Sequence, residues 1–149
     1  MAREVNLWTW IKAGLKGAKG LHMRRVENRV GNGDPDMDGC YNGVYFEVEL
    51  KGCNRPVRNG PLVFEVRDSQ VAWHHKRLKA KGNTWLYIRV GKASDIRRYL
   101  LSGSNIACVK DAQDMKQCTE DFLSGLAVLP PRHTAQDFLA KVTSTQKIN

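Results

Sequence analysis

The sequence predicts an α/β domain: an opening helix, a strand hairpin in the middle, and a helix followed by an apolar strand. Three observations carry that reading. Over residues 3–19, Leu7, Ile11, Gly14, Leu15 and Ala18 recur at helical spacing, while Lys12, Lys16 and Lys19 point away. From Val44 to Lys51, apolar and polar residues alternate as they do along a half-buried strand. Residues 67–81 then read as a helix ended by Gly82-Asn83, before the apolar strand Trp85-Leu86-Tyr87-Ile88-Arg89-Val90, predicted to be central.

The remaining elements follow in chain order. In the first helix, Trp8 and Trp10 serve core and edge packing. Glu4 is either a first-turn acid favoured by the helix dipole or an extra acid for a site, the first being the commoner use. Gly17 and Gly20 end the helix, and Leu21–Val30 reads as a strand. Gly31–Pro35 is a turn by composition, Asp36–Cys40 a short strand, and Asn42-Gly43 a tight hairpin turn. On the strand that follows, Val44, Phe46, Val48 and Leu50 form one apolar side. Tyr45, Glu47, Glu49 and Lys51 share the other, which is therefore not a core. Residues 52–66, with Pro56, Gly60, Pro61, Arg55 and Arg58, form a basic loop. In the second helix Arg67, Gln70, His74, Arg77 and Lys81 line up as a polar stripe, with Val71, His75 and Leu78 expected to face inward. Arg97–Leu101 suits an edge strand or a helix turn, and 111–126 and 134–143 read as helices separated by Pro130-Pro131.

At 149 residues with 42% hydrophobic content, the chain suits one domain with a real core. We expect a core over about 3–101 and a helical C-terminal extension over about 102–149. No apolar run reaches the roughly 20 residues of a membrane helix, and no signal peptide is read, so cytoplasmic residence is the expectation. Cys40, Cys53, Cys108 and Cys118 contain no C-x-x-C pair, which argues against a structural zinc site and for free thiols.

Charge is more informative in its distribution than in its sum. The total is +9, but residues 1–33 carry +5, residues 34–50 carry −5 from Asp34, Asp36, Asp38, Glu47 and Glu49, and residues 51–98 carry +9. An acidic island between basic flanks suits a cation-dependent enzyme acting on a polyanion. The alternative is a solvated basic surface with an incidental acidic loop.

Asp34-x-Asp36-x-Asp38-Gly39 matches the opening of a calcium-binding EF-hand loop. Position twelve of that loop, which needs a bidentate Glu, is here Tyr45, and Pro35 also disagrees. The other pattern is Pro35-Asp36, twelve residues, then Glu49-Leu50-Lys51. An Asp at one strand end and a Glu on its hairpin neighbour can converge on one divalent ion, with Lys51 on the same face. That grouping suits metal-assisted phosphodiester hydrolysis, with lysine stabilising the pentacovalent state or acting as a base. A surface strand with an exposed ion pair is the plainer alternative. Asp34, Asp36 and Asp38 alternate, and Asp36 is singled out by its preceding proline. Glu47 shares the site face, as a ligand or a neighbour.

These residues resemble the PD-(D/E)xK nuclease superfamily, most nearly its virus-type replication-repair nuclease and Holliday-junction-resolvase branch. The resemblance rests on Gly33-Asp34-Pro35-Asp36, on Glu49-Leu50-Lys51, on Gln70 opening the next helix, and on Gly82 before the apolar strand; it covers roughly residues 4–90. It implies a restriction-endonuclease-like core, α-β-β-β-α-β, with a mixed sheet flanked by helices. It implies Asp36, Glu49, Lys51 and Gln70 as catalytic residues, and Asp36, Glu49 and the Leu50 backbone carbonyl as holders of Mg²⁺ or Mn²⁺. Glu4 or Glu27 would supply a further acid. Arg55, Arg58, Arg67, His74, Arg77 and Lys81 are the candidate DNA contacts. The expected activity is a phage-type endonuclease selective for branched DNA, acting as a homodimer in the host cytoplasm. A non-catalytic DNA-binding module and a repair exonuclease acting at DNA ends are the alternatives.

Overall fold

The computed structural model describes residues 3–26 and 33–144, the first three of these by backbone alone. Five strands form one mixed sheet in the order β1-β2-β3-β4-β5. They span Leu21–Arg25 (β1), Met37–Tyr41 (β2), Val44–Cys53 (β3), Thr84–Val90 (β4) and Arg97–Ser102 (β5). Helices α1 (Arg3–Gly14), α2 (Asp68–Lys79), α3 (Ile106–Asp114), α4 (Glu120–Leu126) and α5 (Ala135–Thr143) flank it. From Arg3 to Val90 the order is helix, three strands, helix, strand, as the resemblance implies.

The Asn42-Gly43 turn forms as expected, with φ of 49° and 87°, so both central residues are left-handed as a two-residue hairpin requires. It pairs β2 with β3 antiparallel, from Tyr41 opposite Val44 to Met37 opposite Val48. β4 lies parallel to β3, with Glu49 opposite Leu86 and Lys51 opposite Ile88, and α2 is the crossover between them. All seven residues of β4 are buried, as befits a central strand. β5 closes the far edge antiparallel to β4, which settles Arg97–Leu101 as an edge strand.

The period of two along β3 divides the molecule. Phe46, Val48 and Leu50 pack with Leu7 and Ile11 of α1 and with Phe138, Leu139 and Val142 of α5. The opposite face buries Leu86, Ile88, Tyr99 and Leu101 against Ile106 and Val109 of α3 and Leu123 of α4. Residues beyond 101 therefore complete both layers; α5 in particular fills the first core.

Three boundaries differ from the sequence reading. The first helix ends at Gly14 rather than near residue 19, three residues before Gly17, whose φ of +83° is the left-handed conformation that closes a helix; α5 crosses at Gly14, where a Cβ would stand 2.6 Å from that of Ala135. The predicted helix over 111–126 is two helices. α3 starts earlier, at Ile106, and α4 restarts on Thr119, whose hydroxyl accepts the Phe122 N–H at 3.2 Å. The strand read as Leu21–Val30 is seen as Leu21–Arg25, and residues 27–32 lie outside the described residues. The cysteines form no disulfide; Cys53 and Cys118 are buried and Cys108 is exposed. Among the described residues no helix is long and apolar enough to cross a membrane.

Candidate active site

The odd positions of β3 carry chemistry before they carry core. Glu47 and Glu49 are 4% and 1% exposed, so the face expected to be open lies largely under α2. Burying two carboxylates requires polar partners above them. That demand sets the rotation of α2: Gln70 and His74 turn inward, while His75 faces solvent and Val71 is displaced to the side against the apolar cluster. Of the residues expected inward, Val71 packs against the apolar cluster and Leu78 is half-buried, while His75 is exposed and is corrected.

Asp36 precedes β2, one step beyond the Met37–Val48 pair, and its Oδ2 accepts the Leu50 N–H at 2.8 Å. That contact sets Asp36 beside Glu49. Asp38 is committed elsewhere: both of its oxygens take Arg24 Nε at 3.0 Å, and Tyr45 donates its hydroxyl at 3.1 Å. This pairing within β1–β3 is also not an EF-hand arrangement. Glu47, opposite Asp38, has Arg77 Nε at 3.1 Å, with that guanidinium lying 4.8 Å over the Trp73 ring.

Gln70 ties the site together. Its Nε2 donates to Glu49 Oε2 at 3.0 Å, and its Oε1 accepts both Lys51 Nζ at 3.0 Å and the Arg67 backbone N–H at 2.9 Å. Lys51 Nζ also stands 3.7 Å from Glu49 Oε2. His74, wholly buried, presents Nε2 3.8 Å from Glu49 Oε1.

Burial dominates the electrostatics. It pushes Asp36 up to about 7, assisted by the negative charge of Glu49 and opposed by the Leu50 N–H and Lys51. It raises Glu49 too, against the pull of Lys51 and Arg67, and raises Glu47 against that of Arg77. His74 is pushed down to about 4 by burial, with Glu47 and Asp36 opposing, which leaves its ring neutral at physiological pH.

Asp36, Glu49, Leu50, Lys51, Arg67 and Gln70 line one open cleft of about 350 Å³. The donor set fits a hard divalent cation: two adjacent carboxylates, with Glu49 Oε1 buried and lacking a hydrogen-bond partner. Among the described residues no three His, Cys, Asp or Glu side chains are arranged to hold a metal ion, so the Leu50 carbonyl and water would complete the shell. The side chain of Glu4 and all of Glu27 lie outside the described residues.

No family model matches the chain, and no curated protein matches it. Solved structures are similar to it in part, two of them as follows. One is the Holliday junction resolvase Hjc of Archaeoglobus fulgidus, 12% identical, covering 68% of this chain and 74% of that one, with a TM-score of 0.45. The other is a VRR_NUC domain, 17% identical, covering 74% of this chain and 97% of that one, with a TM-score of 0.43.

Of the candidate DNA contacts, Arg67 lines the cleft, Arg58 and Lys81 are exposed, and Arg77 is shared with Glu47. Two are corrected. His74 has no exposed surface to offer a phosphate. Arg55 is 18% exposed and held by Glu120 and Asp95, an ion pair that ties the loop after β3 to α4. Glu65, which also lines the cleft, was missed; it sits in an irregular loop with no periodic or motif signal.

Proposed function

We propose that this chain is a divalent-metal-dependent DNA endonuclease. The observation that carries the reading is one cleft in which Asp36 and Glu49 lie side by side while Lys51 Nζ stands 3.7 Å from Glu49. Asp36, Glu49 and the Leu50 carbonyl would hold Mg²⁺ or Mn²⁺. Bound there, the cation would supply Lewis-acid polarisation of a phosphate oxygen and an acidified water. The protein's own groups do the rest. Gln70 fixes Glu49 and Lys51 in one arrangement. The Lys51 ammonium offsets charge that develops on the phosphoryl oxygens as the bond breaks. Arg67, at the exposed side of the cleft, draws the DNA backbone toward it.

The substrate is branched DNA, and the protein acts as a homodimer in the cytoplasm of a phage-infected host. Two symmetric nicks across a junction require two sites related by a two-fold axis. The test is cleavage of a labelled four-way junction beside matched linear duplex, in Mg²⁺, in Mn²⁺ and in EDTA, with Lys51→Ala as control. Paired, symmetric, metal-dependent nicks confined to the junction and lost in the variant are expected. Cutting of both substrates would leave a nuclease without junction selectivity, and cutting only from free ends would make it an exonuclease. Salt-sensitive binding without cleavage in either metal would reduce it to a binding module.

A further inference from the structure

We propose that His74 is a positioning residue for Glu49. From behind the carboxylate it sets, together with Gln70, where the two oxygens point, and so how tightly the site holds a divalent cation. The inference rests on the metal-dependent reading above.

Gln70 and His74 are four residues apart on α2 and share its inward face. They address different oxygens of one carboxylate. Gln70 Nε2 bonds Glu49 Oε2 at 3.0 Å, and His74 Nε2 faces Glu49 Oε1 at 3.8 Å. Glu49 Oε1 is buried with no hydrogen-bond partner, and so are both ring nitrogens of His74. A movement of about 0.8 Å brings Nε2 and Oε1 to hydrogen-bond distance, and such bonds commonly tighten only in the loaded site. The ring is steadied by Trp73, edge to face at 5.1 Å between centroids. Glu47, the other acid nearby, has its ion pair with Arg77 at 3.1 Å although its Oε1 too lacks a hydrogen bond; it is Glu49 Oε1 that stands 3.8 Å from His74 Nε2.

If His74 were there only to fill space, an apolar ring would do as well without leaving buried polar atoms unpaired. Three variants of the full chain separate the readings: His74→Phe, His74→Gln and His74→Asn. The Gln amide nitrogen reaches the place of Nε2, and the Asn amide falls short of it. Mn²⁺ is titrated without DNA and free Mn²⁺ is read by electron paramagnetic resonance, with thermal melts confirming the fold. His74→Phe should weaken Mn²⁺ binding about 10-fold or more, and His74→Gln should stay within about 3-fold of wild type. A folded Phe variant binding Mn²⁺ like wild type overturns the proposal. Should the Phe variant not fold, the amide pair decides: Gln binding tighter than Asn supports the role, and equal binding overturns it. Wild type that binds and cuts beside an unaffected Phe variant removes only the role of His74. Wild type that neither binds Mn²⁺ nor cuts removes the nuclease reading, and the role with it.

Discussion

Gln70 and Glu49 meet across the space between α2 and β3, the Gln70 amide donating to Glu49 Oε2 at 3.0 Å. The other end of the same amide accepts Lys51 Nζ and also the Arg67 N–H that begins α2. One side chain thus starts the helix and aligns the two charged residues beneath it. The geometry of the site and the first turn of α2 are mechanically one object.

Gln70→Ala should therefore show two effects together. Loss of the bond to Arg67 N–H at the helix start costs about 1 kcal/mol of stability. Freed of their shared partner, Glu49 and Lys51 lose alignment, and single-turnover cleavage should slow by about 10–100-fold. Thermal melts and quench kinetics check both. A variant that melts early yet cuts at the wild-type rate would show that Gln70 serves only the helix.

The half-buried Asp36 makes stability depend on pH in an unusual direction. Asp36 is pushed up to about 7, so between its unfolded value of about 3.9 and that point the folded state holds the extra proton. Its favourable contribution is present at acid pH and lost as pH rises through about 7. His74 acts in the opposite sense. Pushed down to about 4, it costs stability as pH falls from its unfolded value, about 6.5. The two oppose each other in wild type, so the Asp36 contribution is read as a difference. In EDTA, Asp36→Asn should melt roughly 3–8 °C above wild type at pH 7.5, and the gap should narrow toward pH 4.5. A gap that is constant with pH would refute the assignment.

Arg55 and Arg67 are both basic residues near the end of a structural element, and they should behave differently. Arg67 is exposed beside the cleft, so Arg67→Ala should weaken DNA binding and reduce the slope of log affinity against log salt by about 1. Arg55→Ala should leave that slope unchanged and cost about 1–2 kcal/mol, because Glu120 loses one of its partners. Fluorescence anisotropy over a salt series, with melts, distinguishes them. Equal salt slopes for the two variants would contradict this division.

Much of the site was legible in the sequence because it depends on short-range rules. A period of two places Glu49 and Lys51 on one face, the Asn42-Gly43 turn fixes the register, and that register brings Asp36 to Glu49. What was not legible depends on partners distant in the chain. Apolar spacing points Val71, His75 and Leu78 inward on α2, but the buried carboxylates of β3 demand Gln70 and His74 at the centre of that face, which leaves Val71 at its side and His75 in solvent. Arg55 reads as a phosphate contact until Asp95 and Glu120, separated from it by 40 and 65 residues, are found against it. The close crossing of α1 and α5 at Gly14 and Ala135 is announced by nothing near residue 14, whereas Gly17, left-handed at a φ of +83°, closes the helix as its sequence suggests.

Gly33 offers the sharpest test of how the Pro35-Asp36 turn is held. Its φ is +81°, and a Cβ there would lie 2.2 Å from the Ser69 carbonyl oxygen and 3.0 Å from the Gln70 nitrogen. The turn that carries Asp36 is thus seated directly on the start of the helix that carries Gln70. Gly43 has a similar φ of +87°, but nothing lies within 4 Å of its would-be Cβ. Gly43→Ala should cost about 1 kcal/mol of backbone strain and leave Mn²⁺ binding and cleavage as they are. Gly33→Ala adds a backbone collision to the same strain, so it should cost about 2–4 kcal/mol. It should also weaken Mn²⁺ binding, because relieving the collision moves either Asp36 or Gln70. Melting temperatures and Mn²⁺ titrations of the two variants side by side make the comparison. Should Gly33→Ala lose stability no more than Gly43→Ala and bind Mn²⁺ unchanged, the turn is not braced by α2, and the placing of Asp36 rests on its bond to Leu50 alone.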